Sequence, residues 1–142
     1  RALAANTGEG QQHPRPPLAD STSLQEGKIM VIDFEHEDFA GIPNFKGGEG
    51  HFDAKLHDDG KCKIIRGRVE PGCSSGPHLH EKNAEIIYVI AGAARFNYDG
   101  TDEVVTAGNA HYCPEGHSHA MFNASETEPC EVFCVVPEHH LG

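Results

Sequence analysis

The chain has 142 residues, enough for one domain with a core of its own. Lys and Arg total 11 against 22 Asp and Glu, a net charge of −11 that argues against nucleic acid or an anionic membrane as partner. No apolar run nears the roughly 20 residues that a membrane-crossing helix needs.

Residues 1–28, RALAANTGEGQQHPRPPLADSTSLQEGK, are rich in Gly, Pro, Gln and Ser and show neither helical nor strand periodicity. Such a stretch buries too little apolar surface to offset its ordering entropy, so a flexible extension is expected. Its charges cancel, Arg1, Arg15 and Lys28 against Glu9, Asp20 and Glu26, and the whole excess of acid falls on residues 29–142. Met30 is a candidate initiator, with the extension then not native, and the intact mass of the native protein tests this. The extension carries no compact apolar core of the secretory type.

From Ile29 onward, short segments rich in β-branched and aromatic residues follow one another: IMVIDF, HFDAKLH, KIIRGRVE, EIIYVIAG, ARFNYDG, EVVTAG, HAMFN and EVFCVV. Turn signals separate them, namely DDGK, EPGCSSGP, DGT and PEGHS. FNYDGTDEVV predicts a hairpin closing at Asp99-Gly100, the pair that a type I′ turn favours. Many short strands at regular spacing predict an all-β sandwich or barrel for residues 29–142. EIIYVIAG and EVFCVV are apolar on both strand faces, one more than a barrel wall requires. The outer face is therefore expected to be covered, by a second copy in a homodimer or by the chain's own N-terminal strand.

The five cysteines, Cys62, Cys73, Cys113, Cys130 and Cys134, are odd in number and form no Cys-x-x-Cys pair. Reduced thiols in a cytoplasmic protein are the expectation, since a zinc cluster on Cys130 and Cys134 lacks a second ligand pair.

The chemistry concentrates in GCSSGPHLHEKNAEIIYVIAG, Gly72 to Gly92. His78 and His80 stand one residue apart, so on a strand both rings project from one face. Glu85 follows a short polar bend, and a hairpin-like return can set its carboxylate beside them. Imidazole and carboxylate together suit iron, manganese, nickel or zinc and leave coordination positions open. Alone, a His-x-His pair in an acidic chain is commonly two solvated histidines. A second block, GNAHYCPEGHSHAMFN, changes that balance by adding His119 behind a Pro-x-Gly turn and ahead of an apolar strand.

Together the two blocks resemble the cupins. Gly72, His78-x-His80, Glu85 and Gly92 match the first cupin motif, while Gly108, Pro114-x-Gly116, His119 and Asn123 match the second. The short spacer Ala93 to Ala107 is similar to that of compact microbial members. The resemblance implies a jelly-roll β-barrel with one divalent transition metal, Fe, Mn, Ni or Zn, held by His78, His80, Glu85 and His119. It also implies turn roles for the glycines and Pro114, and a strand-end role for Asn123. His111 and His117 are reserve candidates whose facing stays open. Thiol dioxygenases resemble cupins but lack the glutamate, so Glu85 places this chain nearer the three-histidine, one-carboxylate members. Those members include dioxygenases, oxalate-acting enzymes, isomerases and lyases.

The expected function is a small metalloenzyme acting on an oxygen-rich or carboxylate substrate, dioxygenase-like or of the isomerase or lyase kind. The alternatives are a non-catalytic metal or small-ligand binder and a purely structural barrel. Arg66, Arg68 and Arg95 are candidates to hold a substrate carboxylate. Tyr88 and Tyr98 are candidate hydrogen-bond donors, and Cys73 and Cys113 flank the motifs as expected buried thiols.

Overall fold

A computed structural model describes residues 31–139. The chain divides into residues 1–33 and 34–142, and the second unit holds every named element. The expected flexible extension and the start of IMVIDF lie outside the described residues.

Among the described residues, ten antiparallel strands form two sheets. β1 (Ala40–Pro43), β2 (His51–Asp58), β3 (Cys62–Val69), β10 (Cys130–Pro137), β5 (Glu85–Ala91) and β8 (Ala110–Cys113) make a six-stranded sheet in that order. β4 (Ser74–Leu79), β9 (Ser118–Asn123), β6 (Ala93–Tyr98) and β7 (Thr101–Thr106) make the other. This is the expected all-β jelly-roll sandwich. No described helix is long and apolar enough to cross a membrane.

Strict alternation builds the core between the sheets. Ile87 and Val89 of β5, Val132 and Cys134 of β10, Ile65 and Val69 of β3, and Ala94 and Phe96 of β6 all point inward and are buried. Each large apolar side chain so buried contributes about 1.5–3 kcal/mol of transfer free energy. The hairpin closes as expected, with Asp99 and Gly100 both at positive φ, 47° and 87°, and β6 paired to β7 from Tyr98↔Thr101 outward.

Three features depart from expectation. IMVIDF yields no strand over residues 31–39; a 3-10 turn at Phe34–His36 stands there, and the sheet edge is taken by β1. EPGCSSGP is a turn only as far as Cys73, whose N–H bonds the Glu70 carbonyl, before Ser74 opens β4. The outer face of the six-stranded sheet is covered only in part. Phe34 packs edge-on against His57 and Phe133, yet Ile86, Tyr88, Ile90 and Tyr112 remain exposed.

One close approach positions the cavity described below. A 3-10 turn at Phe45–Gly47 lies against β4 so tightly that a Cβ on Gly76 would sit 2.0 Å from the Lys46 carbonyl oxygen. Reciprocal bonds reinforce the contact, from Ser74 N to the Glu49 carbonyl and from Glu49 N to the Ser74 hydroxyl, both 3.0 Å. Gly76→Ala is expected to lower the unfolding free energy by about 3 kcal/mol, since the obstacle is backbone that cannot rotate away. Gly100→Ala meets nothing within 4 Å and is expected to cost only about 1–2 kcal/mol of left-handed strain. Urea denaturation of the two variants measures the difference.

Candidate metal centre

Both sheets contribute to one cluster. In the smaller sheet β4 pairs with β9 so that His78 lies directly opposite His119. His80 follows the end of β4, held by its N–H to the His117 carbonyl (3.0 Å) and by its own carbonyl, which accepts from Gly116 N (2.7 Å). Period-two geometry sends both rings inward and leaves Leu79 between them exposed. Glu85 opens β5 in the six-stranded sheet, opposite Cys113. One ligand atom from each of His78, His80, Glu85 and His119 falls within 4.8 Å of all the others.

The separations suit a single ion. His119 Nε2 lies 3.1 Å from His78 Nε2, 3.0 Å from His80 Nε2 and 2.8 Å from Glu85 Oε1. Glu85 Oε1 is 3.5 Å from His80 Nε2 and 3.8 Å from His78 Nε2. Neighbouring ligands on an octahedral ion with bonds of about 2.1 Å stand about 3 Å apart.

Proton positions make the case sharper. His78 Nδ1 faces the Gly76 carbonyl at 2.8 Å, which only accepts, so Nδ1 carries the hydrogen. His80 Nδ1 faces Asn83 Oδ1 at 2.6 Å, and the Asn83 amide is oriented by donating to Glu138 at 3.0 Å. His119 Nδ1 meets His111 Nε2 at 3.0 Å, and His111 Nδ1 meets Glu103 Oε1 at 2.8 Å. A carboxylate accepts, so His111 donates to Glu103, and its other nitrogen accepts from His119. With His78, His80, His111 and His119 neutral, every ligand ring therefore turns a bare Nε2 lone pair toward the Glu85 carboxylate, and four acceptors converge with no donor among them. Only protons or a cation relieve that repulsion.

A proton on a ring Nε2 turns the same contacts into hydrogen bonds to Glu85. Burial alone would raise the Glu85 pKa, but its contacts with His119, His78 and His80 outweigh it and hold the carboxyl well below its usual range. The Glu85 contact raises the His80 pKa against the opposing effect of burial, whereas burial lowers that of His119.

A cavity of about 310 Å³ opens beside the cluster, and His78, His80 and Glu85 line it together with Lys46, Lys63 and Lys82. None of these lysines pairs with a carboxylate among the described residues. Lys46 reaches the cavity from the 3-10 turn with left-handed backbone, φ 54° and ψ 28°. Sequence reasoning missed all three lysines and Asn83. Lys63 was legible in principle, since it shares the inward parity of Ile65, whereas the turn that delivers Lys46 depends on a distant contact with Gly76.

The other candidates fall elsewhere. Arg66, Arg68 and Arg95 point outward and pair with Glu131 (3.2 Å), Glu70 (2.8 Å) and Asp102 (3.1 Å). Tyr88 lies on the exposed outer face, and Tyr98 bonds His117 at 3.0 Å. His117 also meets Asp99 at the surface and takes no part in the cluster. His111 is buried behind His119, one bond removed from the ligand set. Cys73 and Cys113 are buried, and burial pushes the Cys113 thiol up to about 11, so Cys113 is no ready thiolate. Cys130 and Cys134 are free, buried thiols on β10.

His80 and His119 are only 6% and 2% exposed. His78, the least buried of the four, gives the cleanest variant. His78→Ala is expected to weaken metal binding at least about 100-fold while the thermal midpoint of the metal-free protein moves by only a few degrees. Because His80 holds its proton more tightly than a free imidazole, metal affinity is expected to fall as pH drops from about 7 to about 5, where protons displace the ion. Metal titrations across that range, followed by calorimetry, measure both effects.

Comparison with known proteins supports the same reading. Residues 65–136 match the family model described as cupin domain. A Thermotoga maritima protein named oxalate-binding protein is 31% identical over 111 residues, covering 74% of this chain and 92% of that protein. A solved structure from Thermotoga maritima, described as a predicted oxalate decarboxylase, superposes with a TM-score of 0.72 at 27% identity, covering 77% of this chain and 99% of that one. KdgF from Halomonas sp., at 20% identity and a TM-score of 0.61, covers 78% of this chain and 94% of its own and shares the fold. With its jelly roll, both motifs and a three-histidine, one-glutamate cluster, the chain belongs to the cupin family.

Proposed function

We propose that this cupin holds one divalent transition metal through His78, His80, Glu85 and His119 and acts on a small carboxylate such as oxalate. The observation that carries the reading is the convergence of three imidazole lone pairs and one carboxylate beside a lysine-lined cavity. Four protein ligands on a six-coordinate ion leave two positions for a bidentate oxygen ligand. The ion would supply Lewis-acid polarisation of the bound oxygens, or a template for oxygen chemistry.

The chain's own residues supply the rest. Lys46, Lys63 and Lys82 offer ammonium groups to the second carboxylate of a dianion in a site partly screened from water. The left-handed backbone at Lys46 is held by the close contact of its carbonyl with Gly76. Leu79, Phe45 and Met121 complete a lining that limits the ligand's size. A second reading, binding without turnover, draws on the relative named oxalate-binding protein.

Elemental analysis of protein purified without a metal-affinity column comes first, followed by calorimetry with oxalate. About one equivalent of iron, manganese, nickel or zinc is expected, with oxalate binding that disappears when the metal is removed. Lys46→Ala is expected to weaken oxalate binding about 10-fold, the scale of one charge-assisted hydrogen bond. Release of formate or carbon dioxide, or uptake of oxygen, separates the enzyme from the binder. Failure to take up any metal after reconstitution would sink both.

We also propose a homodimer joined through the outer face of the six-stranded sheet. Tyr112, Ile86 and Val135 lie in one cross-strand row, with Tyr88 and Phe133 in the next. Such a continuous apolar face suits a self-complementary two-fold contact. Light scattering is expected to give twice the chain mass for the parent and a monomer for Ile86→Lys; a monomeric parent at tens of micromolar would overturn the assignment.

A further inference from the structure

The partners behind three of the metal ligands are not alike. His78 rests on a backbone carbonyl and His80 on an amide, both neutral acceptors. His119 rests on a second histidine, and that histidine rests on a carboxylate. The line Glu103–His111–His119 runs from a half-exposed side chain on β7, through a ring whose side chain is 1% exposed, to the ligand nitrogen.

Several constraints hold this line in place. His111 stacks on Phe96 with ring centroids 4.1 Å apart and an angle of 14°, and Tyr98 meets its ring edge-on at 5.7 Å. Glu103 stands directly opposite Phe96 in the β6–β7 pairing, so its side chain shares the inward face on which His111 lies. β7 and β8 are the edge strands of their respective sheets, and the Glu103–His111 bond ties those edges together. Glu103 only accepts, so a neutral His111 donates to it and accepts from His119 at its other nitrogen.

We propose that Glu103 and His111 are positioning residues for the metal centre: a carboxylate–histidine support behind His119 that sets how tightly the centre holds its ion. The inference rests on the metal reading above and assigns a role to two residues outside the ligand set. Negative charge on Glu103 polarises the His111 ring, which draws on the His119 Nδ1 hydrogen and makes the opposite nitrogen a stronger donor to a cation. The same bonds hold the His119 ring at one angle, so less ordering remains to be done when the ion arrives. Partners of this kind typically contribute about 10- to 100-fold in metal affinity.

The experiment uses the full chain, stripped of metal and titrated with Co2+ against a competing chelator. His111→Phe keeps a flat ring on Phe96 but removes both nitrogens, and is expected to weaken Co2+ binding about 10- to 100-fold with shifted visible absorption bands. Glu103→Ala, at a half-exposed position, is expected to weaken it about 10-fold with an unchanged thermal midpoint for the metal-free protein. Glu103→Gln retains an acceptor oxygen and is expected to recover part of that loss. Parental affinity and absorption in both His111→Phe and Glu103→Ala would overturn the role. So would a pattern in which the variants lose only thermal stability, because the bonds would then serve merely to tie the two sheet edges. A parent that binds no Co2+ would remove the centre itself, and this role with it.

Discussion

Four acceptors facing one another without a hydrogen between them is the constraint around which this structure is arranged. Each ligand ring has its other nitrogen committed to a partner, Gly76, Asn83 or His111, and so turns no donor inward while it is neutral. The free energy that keeps such a cluster assembled comes from the sandwich and not from the cluster itself. In the absence of an ion, protonation is the available relief, and the raised pKa of His80 beside a strongly acidic Glu85 shows where a proton settles. A metal ion held here would compete with protons for the same lone pairs.

The sandwich meets that demand by drawing the ligands from both sheets. His78 and His119 face each other across one antiparallel pair, while Glu85 comes from the opposite sheet. Sliding or separation of the sheets would pull Glu85 from the histidines, so the packing of Phe96, Ile87, Val89 and Val132 between them is also what fixes the site. Two polar links reinforce the closure at its rims: the 3-10 turn bound to β4 at Ser74, and Glu103 bound to His111. The inner layer thus carries both stability and ligand geometry.

Much of this was legible in the residues, for identifiable reasons. Period-two alternation and Asp-Gly chemistry are local, so the main strands and the β6–β7 hairpin could be read directly. The four ligands were legible because spacing on a strand determines facing, and two spaced motifs constrain each other. β4 was hidden by SSGPHL, whose Ser, Gly and Pro signal a turn although the segment pairs with β9. β1 and β8 are four-residue edge strands whose existence depends on partners distant in sequence. The facing of Arg66 and Arg68 stays open in the sequence for a related reason: they alternate with Ile65 and Gly67, and only the burial of the latter shows which face is inside. His111 escaped notice as a support because its role depends on how the edges of two sheets meet.

The charge distribution connects fold to chemistry. A chain with a net charge of −11 nevertheless gathers Lys46, Lys63 and Lys82 around one cavity. A divalent ion held by one carboxylate and three neutral imidazoles would keep a net positive charge, to which half-buried Lys63 and the exposed Lys46 and Lys82 would add from the cavity lining. Leaving that charge uncompensated is costly at low dielectric. A small dianion on the open side of the ion neutralises it and gives the lysines partners, whereas a neutral ligand does neither. The acidic exterior disfavours polyanions and extended anionic surfaces, which must contact much of the protein at once, while a ligand as small as a dicarboxylate meets mainly the local field of the cavity. The proposed preference for a small anion draws on these three lysines, which outnumber Glu81 and Glu85 in the cavity lining of an otherwise acidic chain.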